Sequence, residues 1–361
     1  MRILLATTSG AGHFGPLLPF GAALRAQGHE LAVAAPRSFA AAVERAGYPY
    51  LPCDDVPPEE LAAVYAGAAE LPVEEQNQRA AQVFSSLAPR AILPGMLDAF
   101  TTWRPDLLIR EFGELGSFIA AEANGVPQIQ VMIGLRKFYD RTFPAIRQYL
   151  GPLAEEHGVS VDRLHDLPTA GQLPLSFEEP GEGIEVHRFR APAEPPLPPV
   201  EPDLVHVSFG TVSSSIPFAA KAFRVVVEEL AALPIRLLVT IGDGGDPAEW
   251  TWVPSNVRVE KWIPQREALH GVAAYVTHGG MGSVLGSLTA GVPMVVVPQF
   301  ADHPDNGARV EALGAGLCVP ADEVAAAVRR VLDEPSFREA AGRVAAEIAA
   351  LPEAGEVLRL G

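Results

Sequence analysis

The stretch AAYVTHGGMGSVLGSLTAGVPMVVVP, residues 273–298, decides the fold. Ala273–Thr277 is an apolar run of strand length, and His278-Gly279-Gly280-Met281-Gly282-Ser283 turns the chain into a helix over Gly282–Ala290. Gly291 stops that helix, and Met294–Val297 is a second apolar run. A strand, a glycine-rich turn, a helix and a strand in that order form a unit whose two strands run parallel. Three glycines at the start of a helix leave amides able to point outward, and the macrodipole makes that end an anion site. His278 stands at its entrance, where an imidazole can donate to a phosphate oxygen. A tight turn with a solvated histidine is the bland alternative.

The same alternation extends in both directions. Upstream lie strand Leu204–Phe209, helix Phe218–Leu233 and strands Arg236–Ile241 and Val257–Glu260; downstream, helices Ala321–Leu332 and Phe337–Leu351. The first half has its own set. Strand Ile3–Thr7 leads to helix Leu17–Gln27, strand Glu30–Ala35 and helix Arg37–Ala46, and strands Asp106–Ile109 and Gln128–Met132 flank helix Gly116–Asn124. Alternation of this kind means an α/β protein, with doubly wound parallel sheets covered by helices on both faces. Arg190–Pro202 is too rich in proline for a helix or a central strand and reads as a linker. The expected division is therefore a first domain over 1–189, a linker over 190–202 and a second domain over 203–340. A C-terminal helix over 341–361 is a candidate to pack back on the first domain. Ligands of such domains lie at the carboxyl ends of the strands. Segments 57–102 and 135–177 fit the alternation poorly. Their aromatics, Phe84, Phe138, Tyr139 and Phe143 above all, suit an apolar acceptor pocket, with plain core packing as the competing account.

Bulk properties remove several classes of function. The 361 residues suit two domains, and 48% hydrophobic residues can fill two cores. With 27 Lys plus Arg against 44 Asp plus Glu, the net charge of −17 repels DNA and RNA. Cys53 and Cys318 stand far apart, outside any metal-ligand spacing, and read as free thiols of a cytoplasmic protein. The apolar start is interrupted at Thr7-Thr8-Ser9-Gly10, so it reads as a strand and not as a signal peptide. The longest apolar run, Val292 to Pro298, is far too short for a membrane span. No two of the nine histidines stand at ligand spacing, and no metal or cofactor is expected.

Gly10-Ala11-Gly12-His13-Phe14-Gly15 is a literal dinucleotide-binding fingerprint after a strand. The acid that should end the second strand is missing from Ala34-Ala35-Pro36, which argues against a reductase. The glycines then serve a tight turn beside a bulky ligand, with Gly12 among its contacts. Ser208, Gly210 and Thr211 end the first strand of the second domain and offer a hydroxyl and amides at its carboxyl edge. In Trp262-Ile263-Pro264-Gln265, an indole at a loop edge can stack on a nucleobase while neighbouring groups read its polar rim. Asp302-His303 follows the next strand, where a carboxylate can accept from two sugar hydroxyls; the alternative is a helix N-cap.

Taken together, these stretches resemble the GT-B glycosyltransferases of the inverting small-molecule family (family 1), which includes plant and actinobacterial antibiotic enzymes. The resemblance covers the whole chain. It implies two Rossmann-like domains facing a central cleft, in a monomer or homodimer, and metal-independent transfer from a nucleoside diphosphate sugar to a small-molecule acceptor. It assigns the catalytic base to His13 and the orienting acid to Glu111, with Glu114 in reserve. The donor contacts it implies are Gly12, Ser208, Gly210, Thr211, Trp262, Ile263, Gln265, His278 to Ser283, Asp302 and His303. Two departures from the family pattern stand out. Gly286 replaces a ribose-binding Glu, which favours a thymidine diphosphate carrier over UDP. His303 replaces a Gln, which favours a deoxysugar. The rivals are an epimerase or phosphorylase of the same fold and a catalytically silent activator of another transferase; His13, His278 and Asp302 argue against them.

Overall fold

In a computed structural model, the apolar runs become the strands of two all-parallel sheets. The structure describes residues 1–67, 71, 73–179, 185–192, 198–210, 217–242 and 245–357. The first sheet holds β1 (Arg2–Ala6), β2 (Glu30–Pro36), β3 (Tyr50–Cys53), β4 (Leu107–Glu111), β5 (Gln128–Val131), β6 (Thr169–Gly171) and β7 (Val186–Arg188). The second holds β8 (Leu204–Ser208), β9 (Arg236–Thr240), β10 (Val257–Glu260), β11 (Ala274–Thr277), β12 (Met294–Val296) and β13 (Gly316–Cys318). Their orders are β3-β2-β1-β4-β5-β6-β7 and β10-β9-β8-β11-β12-β13. Both orders reverse direction once, next to the first strand. β1 lies between β2 and β4, and β8 between β9 and β11, so the loops after β1 and β4, and after β8 and β11, open at the reversal.

The strands missing from the sequence reading are short or irregular. β3 carries Pro52 and lies at an edge, where a missing N–H costs no ladder bond. β6, β7 and β13 have three residues each, too few to show a period. The two segments that fitted poorly are mainly helical, with Ala88–Thr102 containing Pro94 and Arg136–Glu156 containing Pro144 and Pro152. Proline inside a helix removes a bond and blurs the period, which is why both segments fit the alternation poorly.

The first sheet is buried on both faces. Leu4, Ala32 and Leu108 look to one side with Met96, Phe118 and Tyr139; Ile3, Leu5, Val33 and Ile109 look to the other with Phe20 and Phe189. The second sheet buries Val205, Val207, Val239 and Val276 against Phe223, Val227 and Val328. Two compact units result: Met1–Gln172 with Pro180–Pro192 and Pro352–Gly361, and Leu173–Glu179 with Ala193–Leu351. The C-terminal expectation needs correcting, because helix Pro335–Ala349 belongs wholly to the second unit and only the chain from Pro352 joins the first. There Arg190 bonds to Glu353 at 3.0 Å, and its N–H donates to the Pro352 carbonyl. Likewise Leu173–Glu179 joins the second unit, where Arg309 donates to the Ser176 and Phe177 carbonyls. Cys53 is buried and Cys318 half-buried, and both are free thiols. Among the described residues, no helix is long and apolar enough to cross a membrane.

Candidate active site

In the first unit, the loops after β1 and β4 bring a histidine and a carboxylate together. His13 sits in the short helix Ala11–Phe14, entered through Gly10 at φ 127°, a conformation that L side chains rarely adopt. Its Nδ1 lies 3.1 Å from Oε1 of Glu111, the last residue of β4. The Glu111 side chain is fully buried, whereas that of His13 is 24% exposed. Oε1 also accepts from the N–H (3.1 Å) and the hydroxyl (3.0 Å) of Thr8, and Oε2 from the Gly113 N–H (2.5 Å). Burial by itself would raise the Glu111 pKa. The charge and hydrogen bond of His13, with the N–H groups of Thr8 and Gly113, outweigh it and hold the carboxyl below its ordinary range. Thr8 was not singled out in the sequence, although Thr7-Thr8 directly after a strand is where such a donor would be sought.

The reserve acid, Glu114, does something else. It accepts from the N–H groups of Gly116 (2.8 Å) and Ser117 (3.0 Å) at the start of helix Gly116–Asn124, and from the Ser117 hydroxyl. Burial raises its pKa, offset only in part by Ser117 and Arg110. The two acids are kept apart by Arg110, which is fully buried and donates to the carbonyls of Glu111, Phe112 and Glu114 at 3.0–3.3 Å. Its other arm donates to Gln130. Towards Glu111 the guanidinium bonds the backbone carbonyl and not the carboxylate. The guanidinium shapes the loop and leaves the carboxylate to His13.

The four aromatics expected at an acceptor pocket separate. Phe84 is exposed and lies parallel to His13, with ring centroids 5.8 Å apart and planes 7° from each other. It is delivered by a π-helical turn, Val83–Leu87, a distortion often found at functional sites. Phe138 is half-buried beneath the Arg141 guanidinium. Tyr139 and Phe143 must be withdrawn as acceptor contacts. Tyr139 is fully buried against Phe112 at 4.6 Å, and Phe143 packs on His165 at 3.8 Å within the same core. Both lie on the inner stripe of helix Arg136–Glu156, so packing explains them.

In the second unit, the loops after β8 and β11 place the His278 ring between two glycines. A Cβ on Gly210 would lie 3.2 Å from His278 Nε2, and one on Gly280 only 2.5 Å from it. Gly210 and Gly279 have φ of 74° and 92°, so both loops need glycine for backbone reasons as well. Ser208 accepts the Gly210 N–H at 3.3 Å. Thr211 lies outside the described residues. Of the loop amides, that of Gly279 donates to the Thr277 hydroxyl, and those of Ser283 and Val284 to the Gly280 carbonyl. Gly280, Met281 and Gly282 come before the helix can supply acceptors, so they are where outward amides belong. The Met281 side chain is buried and offers only its backbone.

His303 is 4% exposed, with its ring 4.6 Å from that of His278 and its Nδ1 accepting the Phe300 N–H. With Nδ1 so occupied, the polar edge left to the ring is the Nε2–H donor. Asp302 makes no capping bond to helix His303–Ala312. Its carboxylate instead accepts from Asn306 Nδ2 (2.8 Å), which also donates to the Gly279 carbonyl (2.9 Å) and ties the two loops together. Asn306 is fully buried, and its link to Gly279 could not be read from the sequence. Trp262 is 55% exposed and Ile263 half-buried. Gln265 donates to the Ser283 carbonyl and packs over Gly286, where an added Cβ would lie 2.5 Å from Gln265 Oε1. Gly12, by contrast, is exposed with nothing near a built Cβ. Among the described residues, no group of three or more His, Cys, Asp or Glu side chains could hold a metal ion.

Burial holds three imidazoles of this unit neutral. His206, bonded to the Thr240 hydroxyl, and His278 are pushed down to about 3, and His303 to about 4. For His278, the neighbouring His303 adds to the effect. Unfolding frees each ring to take a proton near pH ~6.5, whereas the folded ring stays neutral until far lower pH. The unfolded state then binds more protons, so this stability is complete above about pH 6.5 and falls as pH drops below it. The second unit's melting midpoint is expected to fall steadily from pH 7 to pH 5 in scanning calorimetry, and less steeply in His206→Phe. A flat profile would contradict neutral burial.

Comparison with known proteins agrees with this architecture. Residues 22–163 match the family described as Erythromycin biosynthesis protein CIII-like, N-terminal domain, and residues 224–360 its C-terminal domain. The L-demethylnoviosyl transferase of Streptomyces niveus is 30% identical over 98% of this chain and 95% of its own length. The glycosyltransferase SnogD from Streptomyces nogalater superposes with a TM-score of 0.77 at 27% identity, over 100% of this chain and 98% of that one. The spinosyn rhamnosyltransferase SpnG, solved with thymidine diphosphate, shares the fold with a TM-score of 0.83 at 20% identity, over 99% of both chains. With two parallel α/β units, paired switch-point loops and a relative at this identity along nearly its whole length, the chain belongs to the erythromycin CIII-like family of GT-B natural-product glycosyltransferases.

Proposed function

We propose that the chain transfers a deoxysugar from thymidine diphosphate to a hydroxyl of a small-molecule acceptor, with inversion at the anomeric carbon and His13 as general base. The observation that carries this reading is the His13–Glu111 pair. A hydroxyl is a poor nucleophile near neutral pH, and an imidazole taking its proton as attack begins contributes about 10²–10⁴-fold. The proton passes to Nε2, because Nδ1 is turned towards Glu111, and the ionised carboxylate stabilises the imidazolium that forms. Attack opposite the leaving group inverts the centre. The diphosphate gains charge as it departs; His278 and the amides of Gly280 to Gly282 meet that charge in place of a metal ion. A neutral His278 acts here as a hydrogen-bond donor.

The thymidine preference rests on Gly286. No carboxylate stands there to take a ribose 2′-hydroxyl, and the Gln265 carboxamide fills the space a side chain would use. SpnG, of the same fold, was solved with thymidine diphosphate. Calorimetry should give a thymidine diphosphate Kd about tenfold below that of UDP, the worth of roughly one net hydrogen bond. Tighter binding of UDP would reject the carrier assignment. Incubating a thymidine diphosphate sugar with an aglycone panel and reading products by mass tests the transfer itself.

A further inference from the structure

We propose that Thr277 is a positioning residue that fixes His278 as its Nε2–H tautomer, so that the ring's one hydrogen points into the opening between Gly210 and Gly280. The proposal rests on the reading of His278 as a diphosphate contact and names what makes that contact possible. A neutral imidazole carries a single hydrogen and can donate from only one edge. The Nδ1 edge of His278 lies 3.2 Å from the Thr277 hydroxyl oxygen. The Nε2 edge lies against Gly210 and Gly280, at the positions where side chains are missing.

The diphosphate reading needs the hydrogen on Nε2, which leaves Nδ1 to accept one from Thr277. Its oxygen has two lone pairs and one hydrogen. The Gly279 N–H donates to it at 3.4 Å. With one lone pair engaged by that amide, Thr277 keeps its own hydrogen to offer Nδ1. Nδ1 then accepts, and Nε2 carries the proton. Thr277 is fully buried and acts only through His278. Side chains at 210 or 280 would cover the Nε2 edge, so the glycines and the threonine serve one purpose.

Nitrogen-15 spectra of histidine-labelled protein without ligand test this directly, with His278→Gln assigning the resonance. The expected wild-type result is a pyrrole-type Nε2 and a pyridine-type Nδ1. Thr277→Val should shift His278 towards the other tautomer and weaken binding of thymidine diphosphate and inorganic pyrophosphate about tenfold or more, the scale of a lost bond to a charged group. Thr277→Ser should restore both. A pyrrole-type Nδ1 in the wild type, or a Thr277→Val protein with tautomer and affinities unchanged, overturns the proposal. A wild type with the expected tautomer that binds neither ligand overturns the diphosphate reading of His278 instead.

Discussion

His13→Ala is expected to lower kcat by about 10³-fold or more while leaving thymidine diphosphate affinity within about twofold of wild type. The separation follows from where the residues lie. His13 and its partners Thr8, Glu111 and Gly113 belong to the first unit, and the loops carrying His278, Asp302 and Trp262 to the second. Removing the imidazole deletes the proton acceptor and touches no proposed donor contact of the second unit. Glu111→Gln should reproduce much of the loss, about 10²–10³-fold, with His13 still present. An amide cannot stabilise an imidazolium as a carboxylate does, and it can force the wrong tautomer. Thr8, with two hydrogens on the same carboxylate oxygen, would then face an acceptor of lower charge. Turnover with a productive acceptor, measured beside calorimetry of the diphosphate, checks both arms. Wild-type kcat in His13→Ala would remove that residue from the mechanism.

Arg110→Met should destabilise the first unit by about 3–5 kcal/mol, the range for removing one partner from a buried charged network. The guanidinium is wholly buried, holds the carbonyls of Glu111, Phe112 and Glu114 and the Gln130 side chain, and faces Glu114 in the same interior. Burial pulls the arginine's pKa down, and Glu114 is the largest opposing influence. Without the cation, Glu114 remains buried with a weaker balance of charge, and the carbonyls lose their donors. For a unit of this size that cost corresponds to a melting shift of roughly 10 °C. Differential scanning calorimetry should show the shift in the first unit's transition, with the second unit's unchanged. Activity should fall as well, because the carbonyl of Glu111 is one of the groups the guanidinium holds. A shift below about 2 °C would mean that the loop keeps its shape without Arg110.

Two aromatics named together for the acceptor side part ways once the chain is folded. Phe84 and Tyr139 are both aromatics in stretches without clear alternation. A π-helical turn puts Phe84 beside His13, and the inner stripe of a long helix puts Tyr139 in the core. Pro144 and Pro152, within the helix that carries Tyr139, obscured the stripe that would have marked it as core.

By itself, the sequence determined the two parallel α/β units, the glycine turns after β1 and β11, and the residues standing in those turns. These are local properties: apolar runs, helix stops and glycine-dependent backbone act over a few neighbouring positions. Only the tertiary structure decided which way side chains point once distant loops meet. Glu111 and Glu114 are three residues apart and chemically alike, yet one faces His13 and the other closes a helix, because Arg110 holds the loop between them. Thr8 meeting Glu111, Asn306 tying Asp302 to Gly279, and Gln265 lying over Gly286 join residues 21 to 103 positions apart. A hydrogen bond needs its partners placed to within a few tenths of an ångström. Packing of whole elements sets such placement, and no short stretch of chain encodes it.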